Sequence, residues 1–180
     1  MSQLNDIALI ARTIVFGDTR AFGRLVEKYQ STIRRFFMHQ TGGNTALTDD
    51  LAQETFIRAY QNIAKFKNLA GFSTWLHSIA YNVLYDYFRS AHPLEEIAAD
   101  MAEKQITTSK SSDSQHDIHV AMKQLNQNER VCITLFYLED MSLERINQIT
   151  EMPIGTIKSH LSRGKQKLAI WLNKNGYGKE

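Results

Sequence analysis

Apolar residues recur along this chain at intervals of three and four. No stretch alternates with a period of two, so the pattern predicts an all-α protein. Leu4, Ile7, Leu9, Ile10, Ile14 and Val15 predict a first helix that ends at Gly17. Asp18 is a good N-cap for the next, which carries Phe22, Leu25, Val26, Tyr29, Ile33, Phe36 and Phe37 on one face and breaks at Gly42 and Gly43. A third helix is expected to open at Thr48, with Asp49 and Asp50 in a first turn where the helix dipole favours acids. Its inner face is Ala52, Phe56, Ala59 and Ile63. The loop KFKNLAG separates it from a fourth helix, FSTWLHSIAYNVLYDYFRS.

From Ala91 the pattern lapses into a polar, serine-rich stretch with at most a weak helical turn at Glu95–Ala102. Periodicity returns at Ile118, Val120, Met122 and Leu125, and Asn126 with Glu129 forms a capping box for the helix that follows. Val131, Ile133, Leu135, Phe136 and Leu138 are expected to pack against a final helix pair. The organisation is therefore two small helical domains, residues 1–92 and 118–180, joined by a flexible linker at 93–117.

The final pair lies in MSLERINQITEMPIGTIKSHLSRGKQKL. Ser142 caps a helix whose buried stripe is Leu143, Ile146 and Ile149, and Pro153 begins another. In that second helix Ile154, Ile157, Leu161 and Leu168 face inward, while Lys158, Ser159, Ser162, Arg163, Lys165 and Lys167 stay outside with no acid among them. This is the pattern of a helix-turn-helix whose second helix enters a major groove. A hairpin with a solvated lysine face is the plainer alternative.

Charge sharpens that reading, because the formal net charge is only +2 and any basic surface must be local. The single cysteine, Cys132, lies among apolar residues, so a buried inert thiol in a reducing compartment is expected. The N-terminus lacks the features of a signal peptide, and no apolar run is long enough to span a membrane. A cytoplasmic location follows.

The fourth helix has too many aromatics for one face. Phe72, Leu76, Ile79, Ala80, Val83 and Tyr87 make a core stripe, and Trp75, Ser78, Asn82, Tyr85 and Arg89 make a second one on another side. Aromatics with an amide and an arginine suit stacking on unpaired bases and holding phosphates, and Lys65, Phe66, Lys67 and Asn68 add cations and a ring beside them. For Trp75 alone, packing against neighbouring helices is the simpler reading. For Asn82 and Arg89, contact and a solvated face stand as equal alternatives. The acids of the third helix have no His or Cys at ligand spacing, and the HxxH pair His116 and His119 lacks further ligands, so no metal and no cofactor is expected. GxSxG, P-loop, GxGxxG and HExxH motifs are absent, and catalysis has no support in the sequence.

Two motifs in order carry a family resemblance. FSTWLHSIAYNVLYDYFR resembles the promoter-opening helix F-x-x-W-L-x-x-I-A-x-N-x-x-x-D-x-x-R of extracytoplasmic-function (ECF) sigma factors of the sigma-70 family. It matches at Phe72, Trp75, Leu76, Ile79, Ala80, Asn82, Asp86 and Arg89. DDLAQETFIRAYQNIAKF resembles the family's clamp-binding helix. The stretch from Leu125 to Leu168 resembles its fourth-region helix-turn-helix, with Pro153, Gly155, Thr156, Ser159, Arg163 and Leu168 in place. The resemblance implies a sigma region 2 bundle and a sigma region 4 helix-turn-helix, serving a factor that directs core RNA polymerase to promoter DNA and assists its opening. Asp50, Gln53, Glu54 and Arg58 would contact the polymerase clamp helices, and the second domain would meet the flap. The loop from Lys65 to Gly71 would hold a flipped base of the minus-ten element, with Trp75, Asn82, Tyr85 and Arg89 on the strand. Thr156, Lys158, Ser159, Ser162 and Arg163 would read the minus-thirty-five element, and Lys165 and Lys167 would meet phosphate. An anti-sigma factor that covers these faces is the implied restraint. Asn147 departs from the family's usual small residue, which puts the helix crossing in question, and Arg145 replaces a usual acid. A stand-alone helix-turn-helix regulator is the alternative, and a helical adaptor without DNA is a weaker third.

Overall fold

The computed structural model describes residues 2–67, 71–91 and 114–177. Among them, α-helices and short helical turns are the only regular elements. The first unit is α1 (Ser2–Phe16), α2 (Thr19–Gln40), α3 (Thr45–Asn62) with a 3-10 turn at Ile63–Lys65, and α4 (Phe72–Ala91). The second is α5 (Ser114–Met122), α6 (Gln127–Ile133) opening into a π turn at Thr134–Leu138, α7 (Leu143–Thr150) and α8 (Ile154–Lys174). Most of the expected linker lies outside the described residues, as does the expected turn at Glu95–Ala102. Residues 114–117, placed in the linker by composition, belong to α5.

Local chemistry sets most helix starts. The Asp18 carboxylate accepts from the Arg20 and Ala21 amides at 3.0 and 3.1 Å, and those bonds hold its pKa below the ordinary value. The helix α3 corrects the expectation: its cap is Asn44, whose side chain accepts from Leu47 N at 3.1 Å. Asp49 and Asp50 therefore sit in the second turn rather than the first, and the dipole does not account for them. Thr48 is fully buried, its hydroxyl 2.9 Å from that of Thr41, so it closes the α2–α3 corner rather than capping a helix. In α6 the capping box forms in full, with Glu129 N donating to Asn126 at 2.9 Å and Asn126 N donating to Glu129 at 3.1 Å.

Leu25, Ile33, Phe36 and Phe37 of α2 are fully buried beneath Ala59 of α3 and Leu76 and Ala80 of α4. Each such large side chain contributes about 2–3 kcal/mol on burial. In the second unit Val131, Ile133 and Leu135 are buried with Ile146, Ile149, Ile157 and Leu161, as the stripes predict. Leu138 and Ile154 are not, being 40% and 36% exposed at the ends of their elements. Glu129 is nearly inaccessible and must be paired; besides its cap bond it accepts from Lys167 Nζ at 2.8 Å. Burial, and after it the Glu129 charge, pushes the Cys132 thiol up to about 12, so it is an inert core residue.

The two units are packed on each other, α4 against α7 and the end of α2 against α5 and α6. Gln40 Nε2 donates to Thr134 Oγ1 at 2.9 Å, and Arg130 Nη1 donates to the Gln40 carbonyl at 3.0 Å. Arg35 donates twice, from Nε and Nη2, to the Glu139 carboxylate at 2.8 Å each. The approach is close at Gly42 and Gly43, both at positive φ. A Cβ on Gly42 would lie 2.5 Å from Lys123 Cε, and one on Gly43 would lie 3.1 Å from His119 Nδ1.

Candidate nucleic-acid interface

Three faces were expected from the sequence, and each is built differently. At the turn between α3 and α4, Phe66 packs on Phe72 and Trp75 with ring centroids 5.7 and 5.3 Å apart, and Phe72 packs on Tyr29 at 5.3 Å. Tyr29 donates to Asp6 at 2.6 Å, and burial raises its pKa further than that bond does. Trp75 is thus half-buried in an aromatic cluster, the simpler of its two readings. Lys65 and Lys67 are exposed beside it, Lys65 donating to Asn62 at 2.8 Å. Asn68 lies outside the described residues. The chain re-enters at Gly71, whose φ of +80° only glycine adopts without strain.

Farther along α4, Asn82, Tyr85 and Arg89 are exposed on one side, with Tyr85 51% accessible. Ser78 is turned back, its hydroxyl donating to the Trp75 carbonyl at 2.7 Å. Arg89 donates to Asp86 at 3.2 Å, and Asp86 also accepts from Arg58 at 2.7 Å. Arg58 in turn donates to Glu54 at 2.7 Å. The hydrogen bond to Asp86 first, then that to Glu54, raises the Arg58 pKa and keeps it charged. Glu54, Arg58, Asp86 and Arg89 therefore form one chain of charge from α3 to α4. Asp50 and Gln53 remain free of it on the exposed side of α3.

The helix-turn-helix is α7 and α8. Ser142 caps α7, accepting from Arg145 N at 3.3 Å, and Glu151 ends it in the left-handed conformation at φ +59°. Asn147 does not force the helices apart, because its side chain donates to the Met152 carbonyl at 2.8 Å and ties down the turn. Thr156, Lys158, Ser159, Ser162, Arg163 and Lys165 are all exposed along α8. The Ser159 hydroxyl donates to Gly155 O at 2.9 Å, leaving its lone pairs outward. Lys167 departs from the expectation: its ammonium is engaged with Glu129, so it fastens α8 to α6. Opposite the basic face, Gly164 is buried against Ile133, which brings the two helices into close contact.

These faces divide between two halves of the chain, and the comparisons divide at the same place. The sigma-70 region 2 family model matches residues 25–93, and the sigma-70 region 4 model matches residues 115–168. The ECF RNA polymerase sigma-E factor of Haemophilus influenzae is 31% identical over 92% of this chain and 94% of its own. The chain belongs to the ECF sigma factors. The factor SigW of Bacillus subtilis is 32% identical over 84% of this chain and 89% of its own. Among solved structures, CnrH in complex with the cytosolic domain of CnrY shares the fold with a TM-score of 0.71, at 22% identity over 94% of this chain and 98% of that one. RpoE of Bartonella quintana, in complex with the anti-sigma factor NepR, gives 0.69 at 24% identity over 84% and 96%.

In this sigma factor, region 2 spans α2 to α4 and region 4 spans α5 to α8. Sequence reading missed two features of α4. Asp86 was counted as a motif match, yet it is the junction between the α3 acids and Arg89. His77, Tyr81, Leu84 and Phe88, spaced by four, three and four, form a third stripe. His77 and Leu84 in it are fully buried, and α4 packs against α7 of region 4. Its spacing was legible; a histidine amid aromatics gave no reason to look for it.

Proposed function

We propose that this protein is a promoter-specificity factor for core RNA polymerase. Asp50, Gln53 and Glu54 on α3 engage the polymerase clamp. Lys65, Phe66, Lys67 and Asn68, with Trp75, Asn82, Tyr85 and Arg89, take the separated strand of the minus-ten element. Thr156, Lys158, Ser159, Ser162 and Arg163 read the minus-thirty-five duplex, with Lys165 on phosphate, and region 4 meets the polymerase flap. The observation that carries the reading is that one chain presents two nucleic-acid faces of opposite kinds. The aromatic and basic turn before α4 suits unpaired bases, which stack on π-faces, and the acid-free outer side of α8 suits a duplex groove. A reader of duplex alone has no use for the first. Arg58 acts as a strut that sets α3 against α4. Nucleotide chemistry belongs to the polymerase, the site of action is the cytoplasm, and an anti-sigma protein restrains the factor, a reading supported by the structural relative RpoE, which is in complex with the anti-sigma factor NepR.

The test is reconstitution. Purified protein mixed with core polymerase is expected to form a stable complex that starts transcripts at a defined set of promoters. Tight, sequence-specific retardation of duplex by the protein alone, with no affinity for core polymerase, would establish the stand-alone regulator instead.

A further inference from the structure

Helix α1 lies ahead of the region 2 match, which begins at residue 25, and it packs on α2 with Leu9 and Ile10 buried. Asp6 interrupts that apolar face. It is 3% exposed, the one buried acid of the first unit among the described residues. Its carboxylate accepts from Tyr29 Oη at 2.6 Å and pairs with the Lys28 ammonium, which also lies 5.0 Å from the centre of the Tyr29 ring. Desolvating such a pair offsets most of its attraction, and an apolar side chain in its place is often as stable or more so. Holding α1 on α2 therefore does not account for Asp6. What a buried carboxylate with two donors adds is a fixed orientation of the groups it holds.

That orientation is passed on to the turn before α4. The Tyr29 ring tilts against Phe72 with centroids 5.3 Å apart. Phe72 is 4% exposed, and it touches both Phe66 and Trp75, at 5.7 and 5.5 Å. On the other side of the same turn, α1 packs on Ile63–Lys65, the 3-10 turn that leads into Phe66. Helix α1 thus reaches both ends of the segment that carries Lys65, Phe66 and Lys67, once directly and once through Tyr29 and Phe72.

We propose that Asp6 is a positioning residue for capture of the separated minus-ten strand: through Tyr29 it fixes the Phe72 ring on which Phe66 and Trp75 are seated. That these two rings take the strand rests on the promoter reading above. A base stacked on an aromatic side chain contributes about 5- to 150-fold in affinity, and only when the ring lies where the base arrives. Rings released from Asp6 lose part of that factor, while the cations of Lys65 and Lys67 and the outer side of α3 are left as they were.

The experiment uses the full chain in a Trp171→Phe background, so that Trp75 is the one tryptophan left. Trp75 emission and its quenching by acrylamide are read in the free factor. The affinity of the holoenzyme is read by anisotropy on a promoter fragment with its minus-ten element unpaired, taken from the promoters that the reconstituted holoenzyme starts. Asp6→Ala is expected to shift the emission to the red and to weaken fragment binding about tenfold, with binding to core polymerase unchanged. Tyr29→Phe keeps the ring, removes the hydroxyl and moves both readings the same way by less. Asp6→Asn, whose amide oxygen still accepts from Tyr29, restores most of both. If Asp6→Ala does not fold by circular dichroism, the other two variants decide: Tyr29→Phe shifted and Asp6→Asn close to the parent support the role, and both identical to the parent overturn it. A lower urea midpoint with emission and fragment affinity unchanged makes Asp6 a stability residue and overturns the positioning role. So does a shifted emission with unchanged fragment affinity. A parent holoenzyme that assembles yet has no affinity for the unpaired fragment counts against the promoter reading, and Trp75 emission in the free factor then still decides whether Asp6 sets the rings.

Discussion

Replacing Gly164 with alanine sets two effects of known size against each other. In a helix interior alanine is favoured over glycine by about 1 kcal/mol, because the unfolded chain loses freedom. Against that, the added Cβ would lie 2.9 Å from Ile133 Cγ1, 3.3 Å from Cδ1 and 3.6 Å from Glu129 Cβ. Carbon atoms in contact prefer about 3.5–4.0 Å, so α8 must retreat from α6 by about half an ångström or more. Ile133 cannot swing aside: it is 4% exposed, and a β-branched side chain in a helix has essentially one χ1 rotamer. Overpacking of this kind costs about 1–3 kcal/mol, so the net effect is a loss of about 0–2 kcal/mol, rising above about 3 for Gly164→Val. Urea denaturation measures it as a lower midpoint at unchanged slope. The companion Ile133→Ala should cost about 2–5 kcal/mol alone and less in the Gly164→Ala background, a coupling of about 1 kcal/mol. A Gly164→Ala protein that is about 1 kcal/mol more stable, with additive effects of the two substitutions, would refute the close packing of α8 on α6.

Arg163→Ala should weaken recognition of the upstream promoter element by the holoenzyme. If the guanidinium meets a phosphate, the slope of log affinity against log salt falls by about one, which filter binding over a salt series reads directly; an unchanged slope and unchanged promoter choice remove Arg163 from the interface. Asn147→Ala removes the bond to the Met152 carbonyl and leaves that carbonyl unpaired in a half-buried turn, a cost of about 1 kcal/mol in thermal melting; no change would mean that the bond is exchanged for water. Acidification should destabilise the protein below about pH 6.5. Burial is the first cause that depresses His39, His77 and His160 below the ordinary histidine value, so each contributes stability that is present above the unfolded pKa and lost as pH falls through the folded one. Melting temperatures between pH 8 and 5.5 should drop less for His77→Phe than for the parent, and parallel curves would show that His77 is not one of the groups responsible.

What could be read from the sequence was local. Asp18, Ser142 and the Asn126–Glu129 pair were legible as caps because their partners are two or three residues away. The start of α3 was not, because Asn44 and Thr48 are both good caps and the choice was settled by burial of Thr48 against Thr41, across a corner the sequence does not announce. Lys167 looked like its neighbours on a basic face, and only the position of Glu129, 38 residues earlier, takes it out of that face. The aromatic turn before α4 was legible as a composition, and the structure adds that Trp75 serves it from a half-buried position. Gln40 and Thr134 are 94 positions apart and Arg35 and Glu139 are 104 apart, so neither pair was legible in the sequence.

The helix α4 shows why composition and periodicity could have been pressed further. A helix has room for a core stripe and a solvent stripe, and a helix that carries a third set of large residues at helical spacing must bury it somewhere. In α4 the core stripe of Phe72, Leu76, Ala80 and Val83 closes region 2, and Asn82, Tyr85 and Arg89 face outward. The third set is His77 and Leu84, fully buried, with Tyr81 and Phe88, half-buried. Region 4 packs on α4 through α7. Leu84, fully buried, is the member of the set whose loss is simplest to read. Leu84→Ser places a hydroxyl where a leucine packed and should cost about 2 kcal/mol or more, seen as a lower urea midpoint at unchanged slope. An unchanged midpoint would take Leu84 out of the packed core.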